Sequence, residues 1–163
     1  METLIQAEVS PIDLPARILS SSAEETLSLG KQVALMLKKG SIVALSGPLG
    51  AGKTCFVKGI AAGLGIAEEV TSATYTIISE YEGLLPAPAR EKVAFYHIDA
   101  YRLAGTDDFS AIGGEEIIFG SGISAIEWSE QLRGTIPGHA LRVDITLEAD
   151  GKRLIRIYRG ENP

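Results

Sequence analysis

Eight consecutive residues, Gly47-Pro48-Leu49-Gly50-Ala51-Gly52-Lys53-Thr54, match the phosphate-binding pattern G-x-x-x-x-G-K-[ST] at every fixed position. Glycines at 47, 50 and 52 let the backbone curl so that successive N–H groups face an anion, and a helix starting after Gly52 adds the positive end of its dipole. The expected nucleotide contacts in this run are Gly47, Gly50, Ala51, Gly52, Lys53, Thr54 and Cys55. Lys53 is placed to reach the β- and γ-phosphates, and the Thr54 hydroxyl to bind Mg²⁺. A chance glycine-rich turn would not also lie between a strand-like run and a helix-like run, as this one does. A helix N-terminus can acidify a thiol such as Cys55, but a small apolar filler is the simpler reading.

A cradle that holds phosphate needs further acids to hydrolyse it. "VAFYHID" is an apolar strand ending in Asp99, the form of a Walker B aspartate at the carboxyl edge of a sheet. Strand alternation puts His97 on the same face as Asp99, where it is placed to orient that carboxylate, although taken alone it reads first as a hydrogen-bonded structural histidine. Glu127 ends another apolar strand, "GISAI", where an acid is costly unless it meets a cation, water or a hydrogen-bond partner. Two acids ending separate core strands favour a shared metal or water site built from Thr54, Asp99 and Glu127. Trp128, the sole tryptophan, either walls the nucleotide site or packs into the core.

These residues need elements to carry them. "SIVALS" (41–46) has too few polar positions for a half-exposed strand and reads as a central one. A helix should follow Gly52 and end near 63–65. Upstream, Ser22 and Glu25 have the spacing of a capping box, and Leu27, Gly30, Ala34 and Leu37 recur at helical intervals until Gly40. Ala16 to Ser20 reads as a short strand and residues 1–15 as a loosely ordered lead-in. "TYTIISEYEG" alternates as a strand, "LLPAPAREK" is a surface loop, and 106–121 is a polar, glycine-containing connection. "ALRVDITLEA" and "KRLIRIYRG" form an antiparallel hairpin across Asp150-Gly151. The expected fold is α/β: a three-layer, mainly parallel P-loop sheet wrapped by helices, closed by that C-terminal hairpin, with 16–163 as one domain.

A chain of 163 residues suits a single such domain. Its net charge of −6 argues against unassisted nucleic-acid binding, which rests mainly on Lys and Arg. One cysteine excludes a disulfide framework or a cysteine-rich zinc site. No targeting pattern and no apolar run of ~20 residues is present, which points to a cytoplasmic protein without a membrane anchor.

Guanine selection through N-K-x-D is excluded because the only asparagine is Asn162, and no L-S-G-G-Q element marks an ABC-type ATPase. ATP is favoured by elimination. A small-molecule kinase stays open, with Arg90 and Arg102 as candidate lid residues.

The combination "GPLGAGKT", "TSATYT" (71–76), "HIDAYRL" (97–103) and "IEW" (126–128) resembles the bacterial TsaE family, formerly YjeE, over about Thr26 to Trp128 and in the family's order. The resemblance implies a small Mg²⁺-dependent ATPase that works with TsaB and TsaD in making threonylcarbamoyladenosine on tRNA, meeting tRNA only through the complex. It also implies that Lys53 and Thr54 keep their P-loop roles, Asp99 is the Walker B acid and Glu127 the magnesium-associated glutamate. Thr74 falls in a switch-like loop that senses the γ-phosphate. Three positions depart from the usual pattern: Pro48 for an acid, Ala73 for a proline, and Cys55 for a threonine. None removes a phosphate or metal ligand. A non-hydrolysing ATP-dependent binding module is the contrasting reading.

Overall fold

The computed structural model describes residues 10–71 and 77–160. The switch-like stretch with Thr74 lies outside them. Seven strands form one sheet: β1 (Ala16–Ser20), β2 (Ile42–Ser46), β3 (Ile78–Leu84), β4 (Lys92–Asp99), β5 (Ile123–Glu127), β6 (Leu141–Leu147) and β7 (Arg153–Arg159). Their spatial order is β1-β7-β6-β2-β5-β4-β3. The four central strands β6, β2, β5 and β4 are mutually parallel, and β7 joins β6 as the expected antiparallel hairpin. Sequence reading did not give the two edges: β1 runs antiparallel to β7 and β3 antiparallel to β4.

Among the described residues, four α-helices and a 3₁₀ turn (Ser129–Leu132) accompany the sheet: α1 (Ala23–Ala34), α2 (Lys53–Gly63), α3 (Thr106–Ala111) and α4 (Gly114–Ile118). β2 is buried almost throughout, as a strand with neighbours and apolar cover on both sides must be. Val43 and Leu45 point into a core shared with α1 and α2, while Ile42 and Ala44 face a second core containing Phe109, Ile118 and Leu132. Helices on both faces give the three-layer arrangement.

Four local expectations change. Helix α1 ends at Ala34 rather than Gly40: the N–H of Leu35 already turns to Gln32 and Val33, and its buried stripe is Thr26, Leu29, Gly30, Val33 and Ala34. The connection 106–121 contains α3 and α4, whose Phe109 and Ile118 supply the apolar anchors that a reading of its polarity overlooked. The hairpin closes through Glu148 N–H to Lys152 O (2.8 Å) and Gly151 N–H to Glu148 O (3.0 Å), with Gly151 at φ 82°. That is a three-residue loop with a left-handed glycine, not a two-residue Asp-Gly turn. Lastly, the run "GISAIEW" reads as a strand through Trp128, but β5 stops at Glu127.

Candidate functional site

Parallel pairing sets the site. Ile42 to Ala44 of β2 pair with Ser124 to Ile126 of β5, and Asp99 of β4 pairs with Glu127 of β5, so the carboxyl ends of all three strands open on one edge. The loop from Gly47 to Gly52 leaves β2 at that edge and feeds α2. Gly47 is required there on two counts: φ is 146°, and a Cβ would stand 2.3 Å from the Ile145 carbonyl oxygen. Gly52 is the N-cap of α2, at φ 108°, with no side-chain cap and no acid in the first turn. By contrast, α1 is capped by Ser22, which accepts from Glu25 N–H at 3.1 Å, and carries Glu24 and Glu25 in its first turn. The start of α2 therefore carries no acid and no side-chain cap of its own, which leaves its first N–H groups to a ligand.

Lys53 curls back into the loop. Its ammonium donates to Gly47 O (2.6 Å) and Pro48 O (2.9 Å), lies 4.0 Å from the Trp128 ring centroid, and belongs to a residue only 4 % exposed. Burial lowers its pKa; the charges of Glu127, Glu130 and Asp99, in that order, act the other way. Thr54 donates its hydroxyl to the Glu127 carboxylate, 2.9 Å from Oε1 and 3.1 Å from Oε2.

His97 corrects an expectation. It shares a face with Asp99, but its Nε2 lies 2.5 Å from Glu127 Oε2, so the carboxylate it orients is that of Glu127. The reason is register: His97 pairs with Ala125, two residues before Glu127, and the imidazole reaches diagonally to the longer acid. Nδ1 of the buried ring has no hydrogen-bond partner among the described residues. Asp99 instead accepts from the N–H of Tyr101 at 3.0 Å.

Trp128 packs on the core and also touches a residue of the loop. It is half-buried against the second core, its ring covers the Lys53 ammonium, and Tyr101 stacks obliquely on it with centroids 4.9 Å apart. Its backbone takes φ 58°, a left-handed conformation that a tryptophan adopts only where its surroundings enforce it. Cys55 points away from the loop and donates to Ala23 O at 3.3 Å; burial, as the largest cause, raises its thiol pKa, in keeping with a filler. Ala51 is fully buried and its N–H donates to Pro48 O at 3.1 Å.

The donor set suits magnesium. The hydroxyl of Thr54 touches Glu127, and Glu127 stands beside Asp99 in register, giving hard oxygens from one hydroxyl and two carboxylates. No cluster of three acidic, histidine or cysteine ligands occurs among the described residues. Magnesium needs none, since it usually binds through one or two carboxylates together with water and phosphate.

The family model described as "Threonylcarbamoyl adenosine biosynthesis protein TsaE" matches residues 20–155. The chain belongs to the TsaE family. Two relatives, each named "tRNA threonylcarbamoyladenosine biosynthesis protein TsaE", illustrate the likeness. That of Treponema pallidum is 43 % identical over 141 residues, covering 86 % of this chain and 98 % of the relative. That of Bacillus subtilis is 39 % identical over 133 residues, covering 81 % and 78 %. The fold is similar to the crystal structure of Bacillus subtilis YdiB, with a TM-score of 0.72 and 33 % identity over 90 % of this chain and 86 % of that one.

Several residues of this TsaE-family site escaped sequence reading. Asp144 on β6 accepts from Ser46 Oγ (2.6 Å), Tyr158 OH (2.8 Å) and Arg156 (3.2 Å), tying the residue before Gly47 to β6 and β7. Glu130, in the 3₁₀ turn, adds negative charge that acts on Lys53. Arg153 grips the loop itself. Each sits in a segment whose pattern reads as plain strand or turn, and only the pairing of β6 with β2 brings the hairpin to the loop. No helix of the described residues is long and apolar enough to cross a membrane.

Proposed function

We propose that this chain is the ATP-hydrolysing subunit of the machinery that makes threonylcarbamoyladenosine on tRNA, acting in the cytoplasm with TsaB- and TsaD-type partners. The observation that carries the reading is the buried Lys53 ammonium inside the glycine loop, next to the Thr54–Glu127 pair. The loop amides and the start of α2 hold the phosphates of ATP. Lys53 neutralises charge at the β- and γ-phosphates. Thr54, Asp99 and Glu127 hold Mg²⁺, which when bound supplies positive charge to the developing transition state. His97 fixes the direction of the Glu127 carboxylate. Trp128 and Tyr101 wall the site and keep water off Lys53. Thr74 senses the γ-phosphate. Contact with tRNA runs through the partners, consistent with a net charge of −6.

One observation weighs against Arg90 as the lid of a small-molecule phosphotransferase, while Arg102, three residues past Asp99, is exposed. Arg90 lies in the loop before β4, at the end of that strand opposite Asp99. β4 has eight residues, roughly 25 Å at ~3.3 Å each, too far for a lid over the phosphates. Phosphate release separates the readings: Mg²⁺ with ATP alone should give free phosphate, GTP should compete poorly, and adding sugars or nucleosides as acceptors should leave the yield unchanged. Phosphate transferred to an acceptor at the expense of free phosphate would replace this reading with a kinase, and binding without release would make the chain a nucleotide-dependent module.

A further inference from the structure

We propose that Arg153, at the start of β7, is a positioning residue that sets the phosphate-binding loop from outside; the proposal rests on the nucleotide reading above. Its guanidinium donates to three main-chain carbonyls: Nε to Ala51 O (3.2 Å), Nη2 to Gly50 O (3.2 Å) and Nη1 to Gly151 O (2.9 Å). Two of these belong to the loop and one to the hairpin turn, so a single planar fork joins two segments a hundred residues apart. Among the described residues it has no carboxylate partner.

The geometry of the peptide unit gives this contact its effect. In a planar trans peptide the C=O and the following N–H point in opposite directions. Holding Ala51 O toward Arg153 turns the Gly52 N–H to the other side, away from the hairpin. Gly52, at φ 108°, has no Cβ to resist a flip of that peptide, so an external contact must select its orientation. The neighbouring peptide is fixed twice, by Arg153 on Gly50 O and by Ala51 N–H on Pro48 O.

Lys53 steadies the other half of the loop but cannot do so independently of ligand. Two of its three ammonium hydrogens serve Gly47 O and Pro48 O, and engaging two phosphates redirects at least one. The contacts of Arg153 lie on carbonyls, which repel phosphate, so nucleotide does not compete for them. Arg153 thus preorganises the cradle without touching the substrate.

Calorimetric titration with Mg²⁺–ADP, and steady-state hydrolysis of Mg²⁺–ATP, on the intact chain and on Arg153→Met and Arg153→Lys, test this. Arg153→Met should weaken ADP about tenfold, the scale of one lost charge-assisted hydrogen bond, and raise KM for ATP to match. The kcat at saturating ATP should stay within about threefold, because the reacting atoms keep their contacts. Arg153→Lys, which offers a compact ammonium in place of the fork, should fall between the two. A merely structural arginine would lower the melting temperature without this split between KM and kcat. Unchanged ADP affinity in either variant, or a loss confined to kcat, overturns the positioning role; if Arg153→Met does not fold, Arg153→Lys decides by the same criterion. A wild-type chain that binds neither nucleotide overturns the nucleotide reading itself and this proposal with it.

Discussion

Lys53 keeps its ammonium out of water with two carbonyls and the face of an indole as its contacts, which is why burial dominates its pKa and lowers it. The sign of the resulting pH dependence follows by linkage. Below the folded-state pKa the lysine is charged in both states and the folded chain bears the full desolvation cost. As pH rises from there toward the ordinary lysine range, the folded chain sheds its proton first, so this residue's contribution to stability climbs. Lys53→Met keeps the stem and removes the charge. Thermal melts across that alkaline window should show wild type gaining on the variant as pH rises, while ATP turnover in the variant falls by about 10²-fold or more. Unchanged turnover would remove the cradle from the mechanism. The acids differ among themselves. Glu127 is 3 % exposed and bound to both Thr54 and His97, whereas Asp99 is partly exposed and bound to one backbone N–H. Glu127→Gln puts an amide between two donors and should cost more melting temperature than Asp99→Asn; in both, nucleotide binding should outlast hydrolysis, and equal loss of binding and turnover would make these acids supports of the fold. At this scale the glycine motif singles out Lys53 and Thr54, and the apolar strand ends single out Asp99 and Glu127, because both signals are local in the chain. The partner of His97 was not legible, since it depends on a cross-strand register that sequence does not state.

Helix α2 holds the loop only as firmly as α1 holds α2, and the two meet backbone to backbone. A Cβ on Gly30 would stand 2.2 Å from Phe56 O, and one on Gly59 2.1 Å from Leu27 O. No side chain can yield at either point. Gly59→Val should therefore destabilise the chain by about 3 kcal/mol or more, read as the midpoint of urea unfolding, and weaken nucleotide binding in proportion as α2 tilts. A fully stable variant would show that the helices slide apart without cost. The helix starts were legible because caps are local: Ser22 accepts from Glu25 N–H, and the Glu25 carboxylate accepts from Ser21 N–H at 2.6 Å. The end of α1 was not, because Leu37 fits the helical period yet is buried from a turn beyond it. Likewise α3 and α4 are too short for periodicity to register, and their polar faces dominate their composition.

On the scale of the whole molecule, β2 and β5 were legible from nearly unbroken apolar runs, while β1 and β3 were legible as strands but not as antiparallel edges, because strand order is a property of the assembled sheet. That order puts the described groups of the candidate site on one edge, where Arg153 reaches the loop through carbonyls and is not aimed at phosphate. On the proposed reading, Lys53 is the chain's own charge at the γ-phosphate and a docked partner adds more; a charge supplied in trans is worth about 10³ to 10⁵ in rate in related NTPases. Under the proposed function, the chain is expected to be a slow ATPase alone and a faster one when docked. By linkage, partners that dock more tightly to the ATP-bound chain must tighten its ATP binding by the same factor. The most direct measurement is phosphate release from Mg²⁺–ATP by the purified chain, alone and with TsaB and TsaD, alongside Lys53→Met as the background. The account predicts slow release alone and at least a tenfold rise with the partners, about 1.4 kcal/mol in barrier, absent from the variant. Equal rates with and without TsaB and TsaD, at any level of activity, would contradict it.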